Sequence, residues 1–461
     1  MTNMIGCDVL VIGAGSGGLA AAKAAREHGA GSVVVLERNA YAGGILRQCI
    51  HDGFGLIRYG KILTGPEYAY KAYHEALRSG AEVLLGRHVA NITPNKVVTS
   101  YSKGGIEAYK AGAIVLATGC RERTRGAISI PGSRPAGIYT AGVAQRLINC
   151  QNILIGKRVV ILGSGDIGMI MARRLKLEGI SVVAVVEAMA RPSGLARNVS
   201  QCLYDYGIPL YVNTTVTEII GKKRVEAVRI ASVDERMNPI QGTESVLECD
   251  TLVLSVGLIP ENEVALTCGV RVNDDNSVVT DGFLQTSVRG VFSCGNSRHI
   301  MDLADYVSEQ GETAGGNAAK YILGQPLDSW DESRTSCMKK GFPEDNTVTC
   351  TICPSGCQIG WNRVNDTFTG NRCPRGKLFA RQEMTDPVRT VTTTVRIHNS
   401  DIETLVPVRS IKPVPKDEVI NVVRSLNGIC LDEMEDGDRI EVPLKCGGIA
   451  EMIADKEIKE C

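Results

Sequence analysis

Apolar runs interrupted by glycine set the pattern of this chain. The segment CDVLVIGAGSGGLAAAKAAREHG reads as a buried strand, a glycine turn and an Ala-rich helix, and the short apolar run SVVVLE that follows ends at Glu37. The same succession returns in KRVVILGSGDIGMIMARRLKLEG and SVVAVVE, which ends at Glu187. Gly13 to Glu37 and Gly163 to Glu187 each span 24 positions, and both motifs are offset by the same 150 residues, so the architecture repeats internally. Two further strands close the units: AGAIVLATGC, ending at Thr118-Gly119, and CDTLVLSVGLIP, ending at Val256-Gly257. Next, VTDGFLQTSVRGVFSCGNSRHIMDLADYVSEQGETAGGNAAKYIL predicts a hairpin, a strand ending at Cys294-Gly295-Asn296 and a long helix. This is a return to the first sheet, which makes the second unit an insertion in the first. Alternating strands and helices predict an α/β protein with parallel sheets. Near the end, TTTVRI, TLVPVRS and DRIEVPL predict short strands and PKDEVINVVRSLN a helix, a small α+β domain.

The glycine turns carry chemistry. Gly13, Gly15 and Gly18 supply G-x-G-x-x-G: the first permits the turn, the second lets backbone approach a pyrophosphate, the third lets helix and strand pack closely. Gly163, Gly165 and Gly168 do the same. A helix N-terminus then offers free N–H groups to phosphates, and Glu37 or Glu187 can hold ribose hydroxyls. The plainer alternative is a strand–turn–helix with packing glycines. Glu187 favours NAD(H) over NADP(H), because a carboxylate repels a 2′-phosphate. Arg191 and Arg197 lie just beyond it and are candidates for accepting NADPH.

With 461 residues, two or three domains are expected. A net charge of zero, with acids and bases mixed, gives no nucleic-acid or acidic-lipid surface. No stretch reaches 18 apolar residues, so no direct membrane span is expected. The start shows neither the basic end nor the cleavage site of a signal peptide, so the expected location is cytoplasmic. Sixteen cysteines then read as ligands and buried thiols in a reducing compartment. Cys350, Cys353 and Cys357 form C-x2-C-x3-C, and Cys373 opens C-P-R-G. Four thiolates in this spacing suit a [4Fe–4S] cluster or zinc, with unmetallated thiols as the bland reading. Pro354, Gly356 and Gly376 fit a tight wrap around a cluster. Cys430, Cys446 and Cys461 lack paired spacing and read as buried or stray thiols.

Residues 5 to 325 resemble the two-dinucleotide-binding-domain flavoproteins of the pyridine-nucleotide:disulfide oxidoreductase superfamily, in the compact layout of thioredoxin reductase. The resemblance implies two Rossmann-like domains: an FAD-binding domain at 1–145 and 275–330, with an NAD(P)-binding domain inserted at 146–274. It implies that Gly13, Gly15, Gly18, Glu37, Arg38, Gly44, Arg47 and Val89 hold FAD, with Thr118 and Gly119 beside it. Gly295 and Asn296 would lie over the pyrophosphate and ribityl chain, where the family usually has Gly-Asp. Gly163, Gly165, Ile167, Gly168, Glu187 and Gly257 would hold the nicotinamide nucleotide. Tyr306 or Glu309 would approach the isoalloxazine, and Arg121 and Arg123 would face a flavin phosphate, a partner protein or solvent.

The disulfide reductases carry C-x4-C after the first Gly-Gly, or C-x2-C in the nicotinamide domain. Here AGGILRQCIHDGFGL holds Cys49 alone, and Cys202, Cys249 and Cys268 are scattered, so no dithiol–disulfide relay is expected. Cys49 and His51, with Asp52, are candidates for tuning or protonating a flavin; a packed thiol and a turn are the plainer readings. The runs GGILRQCIHDGFGL, ATGCRERTRG and IPGSRPAGIYTAG are similar to the FAD/NAD subunits that accompany anaerobic glycerol-3-phosphate dehydrogenase, and to relatives in opine oxidase, hydrogen cyanide synthase and dye-linked proline dehydrogenase. Residues 345–461 resemble a cysteine-rich, DUF1667-like domain found beside or fused to such flavoproteins. The cysteine spacing also resembles the iron–sulfur segment of molybdopterin oxidoreductases. The resemblance implies an FAD-dependent NAD(P)H:acceptor oxidoreductase that passes electrons through a [4Fe–4S] cluster to or from a partner flavoprotein dehydrogenase subunit, as an oligomer or hetero-complex. The alternative is a non-catalytic electron-transfer and assembly subunit with a zinc-stabilised docking domain.

Overall fold

The computed structural model describes residues 4–335, 340–344, 346–397, 405–431 and 439–454. These group into two compact units, 4–121 with 258–335, and 122–257 with 340–454.

In the first unit a parallel sheet runs in the order Glu82–Leu84, Val33–Leu36, Met4–Ile12, Gly105–Leu116, with Val291–Ser293 paired to the end of Gly105–Leu116. The hairpin His88–Ile92 and Val97–Ser102 pairs antiparallel to the start of that long strand. Val9 to Ile12 and Val33 to Leu36 are buried throughout, because helices and loops cover both faces, which is why they read as apolar runs and not as alternation. The helix Ser16–Glu27 lies against the long helix Ala304–Ile322. A Cβ at Gly315 would meet the Ala21 carbonyl oxygen at 1.9 Å, so only glycine allows this approach. The return to the first sheet expected after residue 280 is therefore present.

The second unit holds a five-stranded parallel sheet ordered Ile138–Thr140, Thr251–Leu254, Arg158–Leu162, Ser181–Val186, Leu210–Tyr211. Ile138–Thr140, inside the range expected for the first domain, completes the edge of this sheet. A three-stranded antiparallel sheet, Thr214–Gly221, Val225–Ser232 and Ser245–Glu248, packs beside it. The carboxyl-terminal part of the unit begins with a small antiparallel sheet, Val348–Thr349, Gln358–Asn362 and Thr367–Thr369, then the helix Pro374–Thr385. A five-stranded sheet follows in the order Cys430–Leu431, Thr392–Ile397, Leu405–Ser410, Ile449–Ala454, Arg439–Pro443. The amphipathic helix Val419–Asn427 buries Val422, Val423 and Leu426 against it. The expected strands and helix of this region are found, while Cys461 lies outside the described residues.

This carboxyl-terminal module is built onto the nucleotide-type sheet of its own unit. Leu177, at the end of the helix Asp166–Leu177, enters the module's core. Arg174, on the same helix, is 6% exposed; it pairs with Glu178 at 2.7 Å and donates to Thr393 at 2.9 Å and to Asn149 at 2.9 Å. A second charged knot joins Asp205 to Arg389 at 2.8 Å and to Lys416 at 2.5 Å, with Glu383 2.6 Å from Arg389. The Asp205 side chain is 8% exposed and that of Arg389 13%, so removing Asp205 leaves Arg389 and Lys416 sharing the one carboxylate of Glu383 in a largely dry site. Asp205→Ala is expected to destabilise the second unit by roughly 3 kcal/mol in urea unfolding, against about 0.5 kcal/mol or less for Arg229→Ala at the half-exposed pair with Glu218. Equal shifts in the two variants would show that the knot is not holding the module.

Candidate functional site

The first glycine turn follows directly from the first strand. Gly13 donates to the Leu36 carbonyl at 2.9 Å, and its φ of +104° puts it where side chains are disfavoured. A Cβ there would meet the Ala117 carbonyl oxygen at 2.4 Å, so the turn is pressed against the end of the Gly105–Leu116 strand. Glu37 is 4% exposed. One of its carboxylate oxygens accepts from the Ala14 N–H at 2.8 Å, the other from the Asn39 N–H at 2.8 Å and its amide at 2.7 Å. Space beside Gly15 is open: a Cβ there would meet nothing within 4 Å. Gly43 donates to the Ala14 carbonyl at 2.8 Å, and Gly44 lies against Gly15. The buried polar atoms of this unit that lack a partner include the Thr118 hydroxyl and the Gln310 amide nitrogen. Gln310 is fully buried on the long helix, and its amide oxygen accepts from the Gly295 N–H at 2.7 Å. Open space at the turn, a free helix N-terminus and unpaired donors fit the phosphates and polar edge of a bound dinucleotide such as FAD.

The second turn reproduces the backbone hydrogen bonds of the first. Gly163 (φ +98°) donates to the Val186 carbonyl at 2.7 Å, and a Cβ there would meet the Ser255 carbonyl oxygen at 2.1 Å. Glu187 is 6% exposed and accepts from the Ser164 N–H at 3.0 Å and the Met189 N–H at 2.9 Å. It also accepts the Ser164 hydroxyl. The middle glycine differs: a Cβ at Gly165 would come to 3.5 Å from the Ser255 hydroxyl and 4.0 Å from that of Ser193. Residues 193–198 strap this turn, with Gly194 donating to the Ser164 carbonyl at 3.1 Å and Leu195 to the Asp166 carboxylate at 2.7 Å. Ile167 sits on the helix that starts there, half-buried against its core. Gly257 accepts from the Arg123 N–H at 3.1 Å. Arg197 is buried, and its Nε has no hydrogen-bond partner.

Other predicted residues are placed less centrally. Arg38 pairs with Glu261 at 2.8 Å and is half-exposed, and Arg47 stacks over Tyr41 at 4.1 Å. Val89 is buried in the edge hairpin, paired with Ser100. The Asn296 amide oxygen accepts from Met301 N–H at 3.0 Å and its nitrogen approaches the Cys120 sulfur at 3.5 Å. Cys49 donates to the Ile45 carbonyl at 3.3 Å, and His51 contacts the Asp52 carbonyl at 2.9 Å, its ring centre 5.0 Å from that of Phe54 with the planes tilted by 34°. Arg121 pairs with Glu263 at 2.6 Å. An open cavity of about 570 Å³ lined by Arg289, Tyr321 and Ile322 lies at the far end of the long helix and holds none of these residues. Sequence reasoning missed Gln310 and Ser193; for Gln310 the available signal was a polar residue on the small-residue face shared by Gly311, Ala314 and Gly315.

The four cysteines sit where the small antiparallel sheet meets the helix Pro374–Thr385. Cys350 donates its N–H to the Cys357 carbonyl at 2.8 Å, closing the loop that carries Cys353. Burial pushes the Cys350 thiol up to about 11, with Cys353, Cys357 and Cys373 close enough to add to the rise. Cys373 caps the helix, and the Gly376 N–H, then Arg375, hold its thiol below the usual range. Cys350 is buried and the other three are half-buried. Among the described residues no three His, Cys, Asp or Glu side chains are arranged to ligate a metal ion. Thiolates are the usual ligands of iron–sulfur clusters and a common ligand of zinc, and metal sites commonly take final shape only on binding. None of the described cysteines is joined in a disulfide.

Residues 7–311 match the pyridine nucleotide-disulphide oxidoreductase family, and residues 374–446 match a family of unknown function, DUF1667. The chain belongs to the first of these, a family of FAD-dependent NAD(P)H oxidoreductases. Among its relatives, thioredoxin reductase of Listeria innocua is 28% identical over 323 residues, which is 68% of this chain and 93% of that one. Hydrogen cyanide synthase subunit HcnB of Pseudomonas protegens is 25% identical over 330 residues, 67% of each chain. The crystal structure of T. acidophilum thioredoxin reductase shares the fold, with a TM-score of 0.56 and 24% identity over 69% of this chain and 98% of that one. Among the described residues no helix is long and apolar enough to cross a membrane.

The unpaired Thr118 hydroxyl gives a direct test of the first site. Thr118→Val should leave the stability of the flavin-free chain unchanged or slightly raised, and weaken FAD binding by about tenfold, the equivalent of one lost hydrogen bond. Unchanged FAD affinity by fluorescence titration would place this hydroxyl outside the flavin site.

Proposed function

We propose that the chain is an FAD-dependent NAD(P)H:acceptor oxidoreductase that passes electrons between nicotinamide, FAD and a [4Fe–4S] cluster held by Cys350, Cys353, Cys357 and Cys373, to or from a partner flavoprotein dehydrogenase of the glycerol-3-phosphate dehydrogenase type. The observation that carries it is the coexistence of two matching glycine turns with a four-thiol segment and no paired cysteines among the described residues. When bound, the flavin supplies the exchange between two-electron hydride chemistry and single-electron transfer.

The residues divide the work. Gly13, Gly15 and Gly18 shape the first turn, and Glu37 holds it in register with the second strand. Thr118 and Gln310 offer donors to the flavin. The turn at Gly163, Gly165 and Gly168 takes the nicotinamide nucleotide, and Glu187 disfavours a 2′-phosphate, so NAD(H) is the preferred substrate. Cys373, at a helix N-terminus, is readily held as thiolate. Cys49 and His51 need no catalytic role in this scheme. HcnB is named as a subunit, which supports a hetero-complex and a substrate oxidised on another chain.

The narrower second turn favours one other reading. Ser193 and Ser255 line Gly165 where Gly15 is open, as expected if the second site were structural. The chain would then be a non-catalytic electron-transfer or assembly subunit with a zinc-stabilised docking domain.

Anaerobic protein should be bleached by NADH faster than by NADPH, and should contain iron and acid-labile sulfide. Cys353→Ser should leave flavin bleaching intact while delivery to an external one-electron acceptor falls to background. A flavin that neither nucleotide reduces, or zinc in place of iron, favours the second reading.

A further inference from the structure

We propose that the surface around the four cysteines is the docking site for a small acidic one-electron carrier protein. The inference deepens the proposed function, since it rests on these cysteines being the electron outlet, with the carrier running between them and the partner dehydrogenase.

The charge pattern carries it. Between residues 346 and 382 there are five cations, Arg363, Arg372, Arg375, Lys377 and Arg381, and one acid, Asp366, in a chain of net charge zero. That acid is already engaged: it pairs with Arg381 and accepts from the Trp361 indole N–H at 3.0 Å. Among the described residues Arg363, Arg372, Arg375 and Lys377 have no carboxylate partner, and all four are exposed. Arg372 and Arg375 flank Cys373 in sequence. Arg363 lies 5.1 Å from the Trp361 ring centre and Lys377 5.3 Å from that of Phe368.

Three of the cations, Arg363, Lys377 and Arg381, lie over an aromatic pair. Trp361 and Phe368 stack with ring centres 5.5 Å apart and planes at 7°. Val364 is 97% exposed at the hairpin tip and Leu378 68% exposed on the following helix. Exposed apolar side chains beside a cluster of mostly one charge match the anatomy of a transient protein interface. A predominantly cationic patch draws an acidic partner at long range, and a small contact area lets it leave after transfer. Each NADH oxidised releases two electrons and one proton, so two oxidised carriers are reduced for every NAD+ and H+ formed.

The test uses the full chain, purified anaerobically with its flavin, and a small acidic ferredoxin as probe. Binding is read by surface plasmon resonance and electron delivery by ferredoxin reduction from NADH. In the wild type, binding should weaken about tenfold from low to physiological salt. The triple variant Arg363→Glu, Arg372→Glu, Lys377→Glu should bind the ferredoxin at least about tenfold more weakly and lose the salt dependence, while NADH bleaches the flavin at the wild-type rate. The milder Gln set at the same positions should fall between the two and guards against misfolding of the Glu variant. Binding indifferent to salt and to charge reversal would overturn the proposal. So would a basic cytochrome binding as well as the ferredoxin, or duplex DNA binding more tightly than either. Iron content, measured separately, judges the cluster reading; the binding result judges the surface.

Discussion

A buried carboxylate at the end of the second strand sets each nucleotide-type turn. Glu37 and Glu187 are both nearly out of water, and each is held by the N–H of the residue after the first glycine and by the N–H two residues beyond itself. Burying an acid is costly unless hydrogen bonds meet it, so the turn and the strand end are locked to each other. The lock decides where the following helix begins, and therefore where its free N–H groups point. In the first unit Gly43, Gly44 and Gln310 are then arranged around that fixed turn.

The repeat was legible because its determinants are local. Three glycines, an acid at a fixed distance and two apolar runs lie within one short window, and each has a steric or hydrogen-bonding reason to be there. The same holds for the strands and the amphipathic helix of the carboxyl-terminal module. Long-range pairings left no trace in the sequence. Asp205 meets Arg389 and Lys416 across nearly the whole second half of the chain, and nothing around any of the three marks it as a partner. Ile138–Thr140 is too short to reveal which sheet it joins. The four cysteines could be read as a donor set from spacing, but spacing alone does not orient four side chains around an ion, and the described side chains are not so oriented.

The repeats also diverge where their surroundings differ. Gly15 faces open space, while Gly165 is lined by the hydroxyls of Ser193 and Ser255. The difference traces to the strap at 193–198, which has a partner on each side. Gly194 donates to Ser164 in the turn at 3.1 Å and accepts from Gly341 at 3.2 Å, and Leu195 bridges to Lys340. The strap thus belongs both to the second turn and to the segment leading into the cysteines.

That double membership bears on what the carboxyl-terminal module is. A freely appended domain would leave the surface of its host complete without it. Here the helix that begins at the second turn ends with Leu177 in the module's core, and Arg174 on that helix finds Thr393 there. Asp205 has its described ion-pair partners, Arg389 and Lys416, in the module too. Without the module, Arg174 loses Thr393 and Asp205 loses both cations, so each charge must be resolvated where an apolar surface is also laid bare. The module is therefore a structural continuation of the second unit. The strap at 193–198 ties the segment leading into the thiols to the second glycine turn through backbone pairing.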